Sequence, residues 1–441
     1  MTVLDRTYTS PSTYLSHHMA TMMQVAEVEP QTTTKLCRFC GADLRRTFVD
    51  LGMSPLCQTC PTAADLSRGE VYYPLKVYLC EQCWLVQLEQ LQTPENIFSE
   101  YAYFSSYSDS WLTHSKNYCD KMISRLGLDE NSFVVEVASN DGYLLQYFVQ
   151  RNVPALGIEP AANVATVAVE NGVPTLTRFF GTELAKELAA EGRCADLVLG
   201  NNVLAQVPDL NDFVEGLSIL LKPNGLLTLE FPHLLRLIER NEFDTIYHEH
   251  FSYFSMLSAV RILRTHGLIV FDVEELPTHG GSLRIYACRA GGQAKTVQPA
   301  VRALIAEEER AGLASAEGYE NFGRQVRRTK FALVEFLLTV VGEGKRVAGY
   351  GAPGKSATLL HYCGIGKDWI EYTVDRSKYK QGRFLPGTRI PIYHPDHIRE
   401  TKPDYIVILP WNLKDEIMEQ MQYVREWGAR FVVPIPTVTI Y

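Results

Sequence analysis

The stretch YHEHFSYFS, Tyr247 to Ser255, packs two histidines, a glutamate, two tyrosines and two phenylalanines into nine positions with no spacing that sorts them onto one helix face. Such a cluster suits an interdomain seam, half of a metal site, satisfied core histidines, or a general base with its supporting groups. An imidazole titrates near neutrality, so a neutral histidine can take a proton from an acidic C–H. His248 and His250 flank Glu249, and spacing leaves either open as the base. Tyr247 is placed to donate a hydrogen bond to an oxygen that gains charge.

Six of the ten cysteines form three Cys-x-x-Cys pairs, Cys37/Cys40, Cys57/Cys60 and Cys80/Cys83. Clustered thiolates in a reducing compartment indicate a metal rather than disulfides, and a structural zinc takes four ligands, so one pair is surplus. CRFCG has a glycine after its second cysteine, which suits a tight knuckle, and VYLCEQCWLVQL sets its pair on a strand-like run. PLCQTCPT has prolines on both sides. These features favour Cys37, Cys40, Cys80 and Cys83, although spacing permits the other combinations.

Two loops look made for nucleotides. VVEVASNDGYLL carries Glu136 on a strand, then small and polar residues, then Gly142 where backbone would approach a ligand; Glu159 ends the next strand in GIEP, placed for ribose hydroxyls. This loop lacks the Gly-x-Gly-x-x-Gly that seats a pyrophosphate. S-adenosylmethionine has no phosphate, and its sulfonium and amino group suit Glu136, Asn140, Asp141, Asn201 and Asn202. A nicotinamide dinucleotide or an empty site is the alternative. GYGAPGKS, Gly349 to Ser356, matches both the dinucleotide and the P-loop patterns. A P-loop also needs a strand ending in a magnesium-binding Asp, and DYIVIL runs into Pro410 instead. The loop is therefore expected to hold a substrate phosphate or nucleotide through its N–H groups and Lys355, without hydrolysing ATP.

The elements that must position these residues alternate in type. Hydrophobic runs at FVVEV, PALGI, ADLVLG, LLTLEFP, LIVFDVEELP and GGSLRIYACR, with helical segments between them, predict a doubly wound α/β sheet closed by a hairpin-like pair. A second strand–turn–helix starts at KRVAGYGAPGKS and continues through IEYTVD and DYIVIL. The expected organisation is a mobile lead-in over 1–34, a zinc-binding segment over 35–98, a Rossmann-like domain over 99–290 and a second Rossmann-like α/β domain over 291–441. At 46% hydrophobic and 21% charged the chain is globular, and 42 Lys+Arg against 51 Asp+Glu gives a charge of −9 that recruits neither nucleic acid nor anionic membrane. No apolar run spans a bilayer and no signal segment is legible, so a cytoplasmic monomer is expected.

The order of these pieces resembles the sugar C-methyltransferase family of deoxysugar biosynthesis, over about residues 35 to 441. CRFC with CEQC, EVASNDGYLL, GIEP, NNVLAQVPDL, YHEHFSYFS, HGGSLR and KQGRFLPGT carry the resemblance. It implies a zinc segment, a class I S-adenosylmethionine-dependent methyltransferase domain and a C-terminal domain that helps hold a nucleotide sugar, with methyl transfer to C3 of a nucleotide-linked 4-keto-6-deoxyhexose. It favours the same four zinc ligands and makes His250 the base, with Tyr247 and Glu249 beside it. By the same resemblance Tyr107, Ala138, Asn140, Asp141, Gly142, Glu159, Asn201 and Asn202 join Glu136 at the cofactor, and Tyr101, Tyr103, His279, Gly280, Ser282, Gly351, Lys355, Lys380 and Arg383 take the substrate. One departure stands out. The family commonly has a histidine where this chain has Gln206 in AQVP, and glutamine keeps hydrogen bonding but does not titrate near neutral pH. Without the resemblance, a nicotinamide-dependent sugar oxidoreductase or epimerase is the rival reading; no Tyr-x-x-x-Lys pair appears in the central domain to support it.

Overall fold

The computed structural model describes residues 35 to 441 except Glu100, Ala102, Tyr103, Gln293 and Ala294. The expected lead-in and the Tyr103 contact lie outside the described residues.

The central sheet has seven strands in the order Leu268–Leu276, Ser282–Arg289, Leu221–Pro232, Ala195–Asn201, Val134–Val137, Ala155–Ile158 and Thr175–Leu176. Six of them point the same way, five in a continuous parallel run, and Ser282–Arg289 enters antiparallel between Leu221–Pro232 and Leu268–Leu276. The parallel strands read as continuous apolar runs because helices cover both faces of the sheet. VVEV and ALGI are buried at every position. The chain leaves Val134–Val137 toward one edge of the sheet and later returns to build the other, so a crevice opens at the carboxyl ends of Val134–Val137 and Ala195–Asn201.

The second sheet repeats this logic with six strands, Ile392–Tyr393, Thr373–Val374, Val347–Tyr350, Tyr405–Ile408, Arg430–Val433 and Thr439–Ile440. Its own switch point lies between Val347–Tyr350 and Tyr405–Ile408. Helix Phe322–Gly342 buries Val326, Leu333, Leu337 and Val340 at helical spacing. Helix Pro299–Arg310 instead sends Val301 and Leu304 into the core of the seven-stranded sheet.

The cysteine-rich segment is not a bead on a string. Its strands Arg46–Ser54, Tyr73–Leu79 and Val86–Leu88 form an antiparallel sheet whose fourth member is Ser252–Tyr253, from the YHEHFSYFS stretch itself. The strand that begins two residues after His250 is thereby hydrogen-bonded to the zinc segment. Among the described residues no helix is long and apolar enough to cross a membrane.

Candidate active site

The two switch points face one cavity of about 1310 Å³. Val137, Ala138, Asn140, Glu159, Asn201 and Asn202 line it from the seven-stranded sheet; Tyr350, Gly351, Gly354, Lys355, Asp375 and Asn412 line it from the six-stranded sheet. One small-molecule site usually occupies about 300–1,000 Å³, so this cavity has room for two ligands.

Tyr247, His250 and Gln206 sit on its wall. A turn closed by His250 N donating to the Tyr247 carbonyl at 2.9 Å brings the two rings to a centroid distance of 4.1 Å. His250 Nδ1 is 2.9 Å from the Thr245 carbonyl, which can only accept, so Nδ1 carries the proton and Nε2 keeps its lone pair. Burial pushes the imidazole down to about 4, and the charges of His279 and Lys355 push the same way. It is neutral at physiological pH. His248 points elsewhere: its Nε2 bonds the Pro74 carbonyl at 3.2 Å and its ring meets Tyr73 edge-on. Of the two histidines, His250 faces the cavity and His248 does not.

Glu249 does not stand beside His250. Its Oε1 accepts from the Cys57 thiol at 3.1 Å and its Oε2 from the Tyr101 hydroxyl at 3.3 Å, and burial raises its carboxyl to about 7. The imidazole is oriented by a backbone carbonyl instead, because in this tight turn the side chains of 249 and 250 leave in different directions. Cys57 belongs to the pair that sequence reasoning set aside.

The EVASNDGYLL loop divides its labour differently from expectation. Asn140 lines the cavity, while Asp141 accepts from the amide and hydroxyl of Ser106 at 3.1 and 2.6 Å and so holds the turn Ser105–Tyr107 in place. Tyr107, 59% exposed, lines the cavity from that turn. Gly142 is not on the wall: at φ +77° a Cβ there would come within 3.0 Å of Val173 Cγ2, so the glycine serves packing rather than ligand approach. Glu136 lies fully buried behind the wall with the Tyr143 hydroxyl beside it, and burial raises its pKa. Glu159 faces the cavity and accepts from the amides of Asn140 and Ala161, both at 2.9 Å, with burial raising it to about 7. Asn202, at φ +57°, donates to His279 Nε2 at 3.1 Å, and its own buried Oδ1 has no partner among the described residues.

Among the expected substrate residues, Tyr101, His279, Gly351, Lys355 and Lys380 line the cavity. Gly280, Ser282 and Arg383 do not. A side chain at Gly280 would run into Glu242 and Trp411, Ser282 donates to the Thr278 carbonyl at 3.0 Å, and Arg383 stacks on Tyr379 at 4.3 Å. In GYGAPGKS, Ser356 donates to the Pro353 carbonyl at 2.6 Å, and Asp375 accepts from the Ala352 amide at 2.7 Å. Gly351, at φ +89°, abuts the Pro410 ring, and Gly354 is backed by Cys57 and Gln58. Packing accounts for these glycines.

Sequence reasoning missed a second buried cluster on this wall. Glu230, fully buried at the end of Leu221–Pro232, holds His114 Nε2 at 3.0 Å, Arg284 at 2.5 Å and the Thr278 hydroxyl at 3.0 Å. His114 stacks on Trp111 with centroids 5.0 Å apart, and both line the cavity. The available signal was an acid in the apolar run LLTLEFP.

The zinc ligands come together as expected: the sulfurs of Cys37, Cys40, Cys80 and Cys83 all lie within 4.8 Å of one another. Gly41 at φ +72° closes one knuckle, Trp84 at φ +62° the other, and Gln87 Nε2 donates to Cys37 Sγ at 3.1 Å. Four thiolates in two knuckles suit tetrahedral zinc, and the donor set lacks an open position for chemistry at the metal. S-adenosylmethionine fits the side of the cavity formed by the seven-stranded sheet, where the Glu159 carboxylate and the amide oxygen of Asn202 would face a cationic ligand; when bound it supplies an electrophilic methyl group.

Comparison with known proteins agrees with this reading. Three family models match, a zinc binding domain over residues 37–98, a methyltransferase domain over 111–273 and a C-methyltransferase C-terminal domain over 277–436. C-methyltransferase NovU of Streptomyces niveus is 39% identical over 400 residues, covering 91% of this chain and 95% of that protein. Among solved structures, magnesium protoporphyrin IX methyltransferase of Synechocystis PCC 6803 matches with TM-score 0.31 and 16% identity over 41% of this chain and 82% of its own, and the PH0226 protein of Pyrococcus horikoshii OT3 with TM-score 0.34 and 14% identity over 44% and 97%. The chain belongs to the C-methyltransferase family and is an S-adenosylmethionine-dependent enzyme that carries a four-cysteine zinc site.

Proposed function

We propose that the enzyme methylates C3, the carbon α to the ketone, of a nucleotide-linked 4-keto-6-deoxysugar, with His250 as the base. The observation that carries this reading is the free Nε2 of a neutral, cavity-lining His250 placed between two facing nucleotide-type crevices. Carbon must become nucleophilic before it takes a methyl group, and a C–H α to a ketone is the sugar hydrogen acidic enough for an imidazole to remove. The proton passes to His250 Nε2, the C–H electron pair becomes the enolate, and Tyr247, whose phenol burial keeps protonated, is a hydrogen-bond donor beside that base. Asn140, Glu159, Asn201 and Asn202 hold the methyl donor, Tyr107 covers it, and the rim cations Arg376 and Lys378 favour an anionic nucleotide on the far side, with Lys380 buried behind them and donating to the Ala352 carbonyl at 2.8 Å.

The test uses thymidine diphosphate 4-keto-6-deoxyglucose in D2O with S-adenosylhomocysteine in place of the methyl donor. Deuterium should enter C3, and S-adenosylmethionine should convert the same compound to a C3-methylated product. A protein that binds the probe yet neither exchanges nor methylates it would have a different acceptor.

A further inference from the structure

Lys355 is spent differently from the lysine of a phosphate-binding loop. It lines the cavity together with His250, His279 and Tyr247. Its Nζ donates to Asn412 Oδ1 at 2.8 Å and sits 4.3 Å from the Trp411 ring centroid. Trp411 is itself pinned, its indole N–H donating to Asp244 Oδ2 at 2.8 Å. Among the described residues Lys355 makes no other hydrogen bond and no ion pair, so an ammonium with three donors has spent one. Burial lowers the Lys355 pKa, and the charges of two buried acids, Asp244 and Glu242, oppose that shift; among the described residues each acid keeps one oxygen without a partner, Oδ1 and Oε1 respectively. They favour the charged ammonium at a distance without consuming its hydrogens. The same positive charge reaches both His250 and His279.

Gly354 lines the cavity at the start of helix Gly354–Cys363. Here Cys57 and Gln58 back Gly354, each 3.1 Å from where a Cβ would stand. The nucleotide charge has other partners on the rim in Arg376 and Lys378.

We propose that Lys355 is a catalytic residue whose ammonium hydrogen-bonds the ketone oxygen and stabilises the enolate as His250 removes the α proton. This rests on the keto-sugar reading above. The balance is simple. The α C–H bond breaks, its proton moves to His250 Nε2, its electron pair enters the new C=C bond, and the ketone oxygen takes the negative charge against Lys355 without accepting its proton. A fixed, water-shielded donor gains most where charge develops, so the residue should act on the rate of enolisation rather than on binding.

The experiment measures deuterium entry at C3 of thymidine diphosphate 4-keto-6-deoxyglucose with S-adenosylhomocysteine bound, alongside the probe's dissociation constant. Lys355→Met should exchange about 100-fold more slowly at saturating probe, with affinity changed less than about 3-fold. Methylammonium added to Lys355→Ala should restore part of the rate. Asn412→Ala, which frees the ammonium from its tether, should slow exchange by about 10-fold and decides the matter if the lysine variants fail to bind S-adenosylhomocysteine. Wild-type exchange rates at saturation in Lys355→Met with a tenfold weaker dissociation constant would make Lys355 a phosphate ligand and overturn the proposal, as would wild-type exchange in Asn412→Ala. Absence of exchange in the wild-type protein would defeat the keto-sugar reading itself, whereas exchange that survives loss of the lysine defeats only this role.

Discussion

His250 Nδ1 lies 2.9 Å from the Thr245 carbonyl oxygen, and this one contact sets the tautomer on which the proposed chemistry depends. Replacing His250 with asparagine keeps an amide that can reach the same carbonyl but removes the basic Nε2. His250→Asn should therefore fold, retain S-adenosylhomocysteine and probe binding near wild type, and lose C3 deuterium exchange by at least about 100-fold. Exchange at the wild-type rate would move the base to another residue.

The same imidazole gives a pH prediction. Burial holds it at about 4 against an ordinary value of 6.5. As pH falls below 6.5 the unfolded chain takes up a proton that the folded chain refuses. The stabilisation from keeping this ring neutral is thus complete above 6.5 and is lost as pH falls through about 4. By NMR, the His250 ring signals should stay those of the neutral, Nδ1-protonated form at pH 5.5, where an ordinary histidine is mostly cationic. A midpoint near 6.5 would contradict this environment.

Zinc content separates the cysteine pairs. Cys37→Ser and Cys80→Ser should each lose the stoichiometric zinc and soften the sheet that carries Ser252–Tyr253. Cys57→Ala should keep its zinc while leaving Glu249 Oε1 without its donor, which costs about 1–3 kcal/mol. Elemental analysis with urea melts reads both, and zinc lost from Cys57→Ala would mean that the pairs are exchanged.

Gly142→Ala tests what that glycine is for. A Cβ forced into the left-handed region and against Val173 should cost about 2–4 kcal/mol in urea unfolding. Because the position is off the cavity wall, cofactor affinity in the folded variant should change little. A stable variant with cofactor binding abolished would return Gly142 to the ligand.

Much of this arrangement was legible because it is written in short-range pattern. VVEV, ALGI and ADLVLGN are apolar runs of strand length between helical segments, and each became a parallel strand. The Cys-x-x-Cys knuckles are equally local. The site was less legible wherever partners are far apart or directions matter. Glu249 neighbours His250 in sequence yet bonds Cys57, 192 residues away. Glu230 meets His114 across 116 residues and Arg284 across 54, and nothing in LLTLEFP or HGGSLR names the other. GYGAPGKS is ambiguous for a different reason: close packing against Pro410 and Cys57 selects the same glycines as a ligand would.

The last prediction concerns how the zinc segment reaches the chemistry. Arg38, inside the first knuckle, donates to the Pro208 carbonyl at 2.9 Å and also to the Leu88 carbonyl, while its guanidinium sits 5.5 Å from the Phe251 ring centroid. Asn211 donates back to the Phe39 carbonyl at 3.0 Å. Pro208 ends the turn that carries Gln206, and Phe251 N, one residue beyond His250, donates to the Ala205 carbonyl at 2.7 Å. The knuckle, the Gln206 turn and the turn that carries His250 are therefore one hydrogen-bonded unit. Arg38→Met keeps the apolar stem but leaves two carbonyls unsatisfied, so it should lower stability by about 2–4 kcal/mol. Its diagnostic effect lies elsewhere. If the unit positions the catalytic wall, Arg38→Met should retain its zinc and bind S-adenosylhomocysteine normally, yet lose about 10-fold in kcat with little change in KM for the keto-sugar probe. A purely structural arginine would lower the melting temperature and leave kcat of the folded fraction unchanged, and that result would disconnect the knuckle from the reaction.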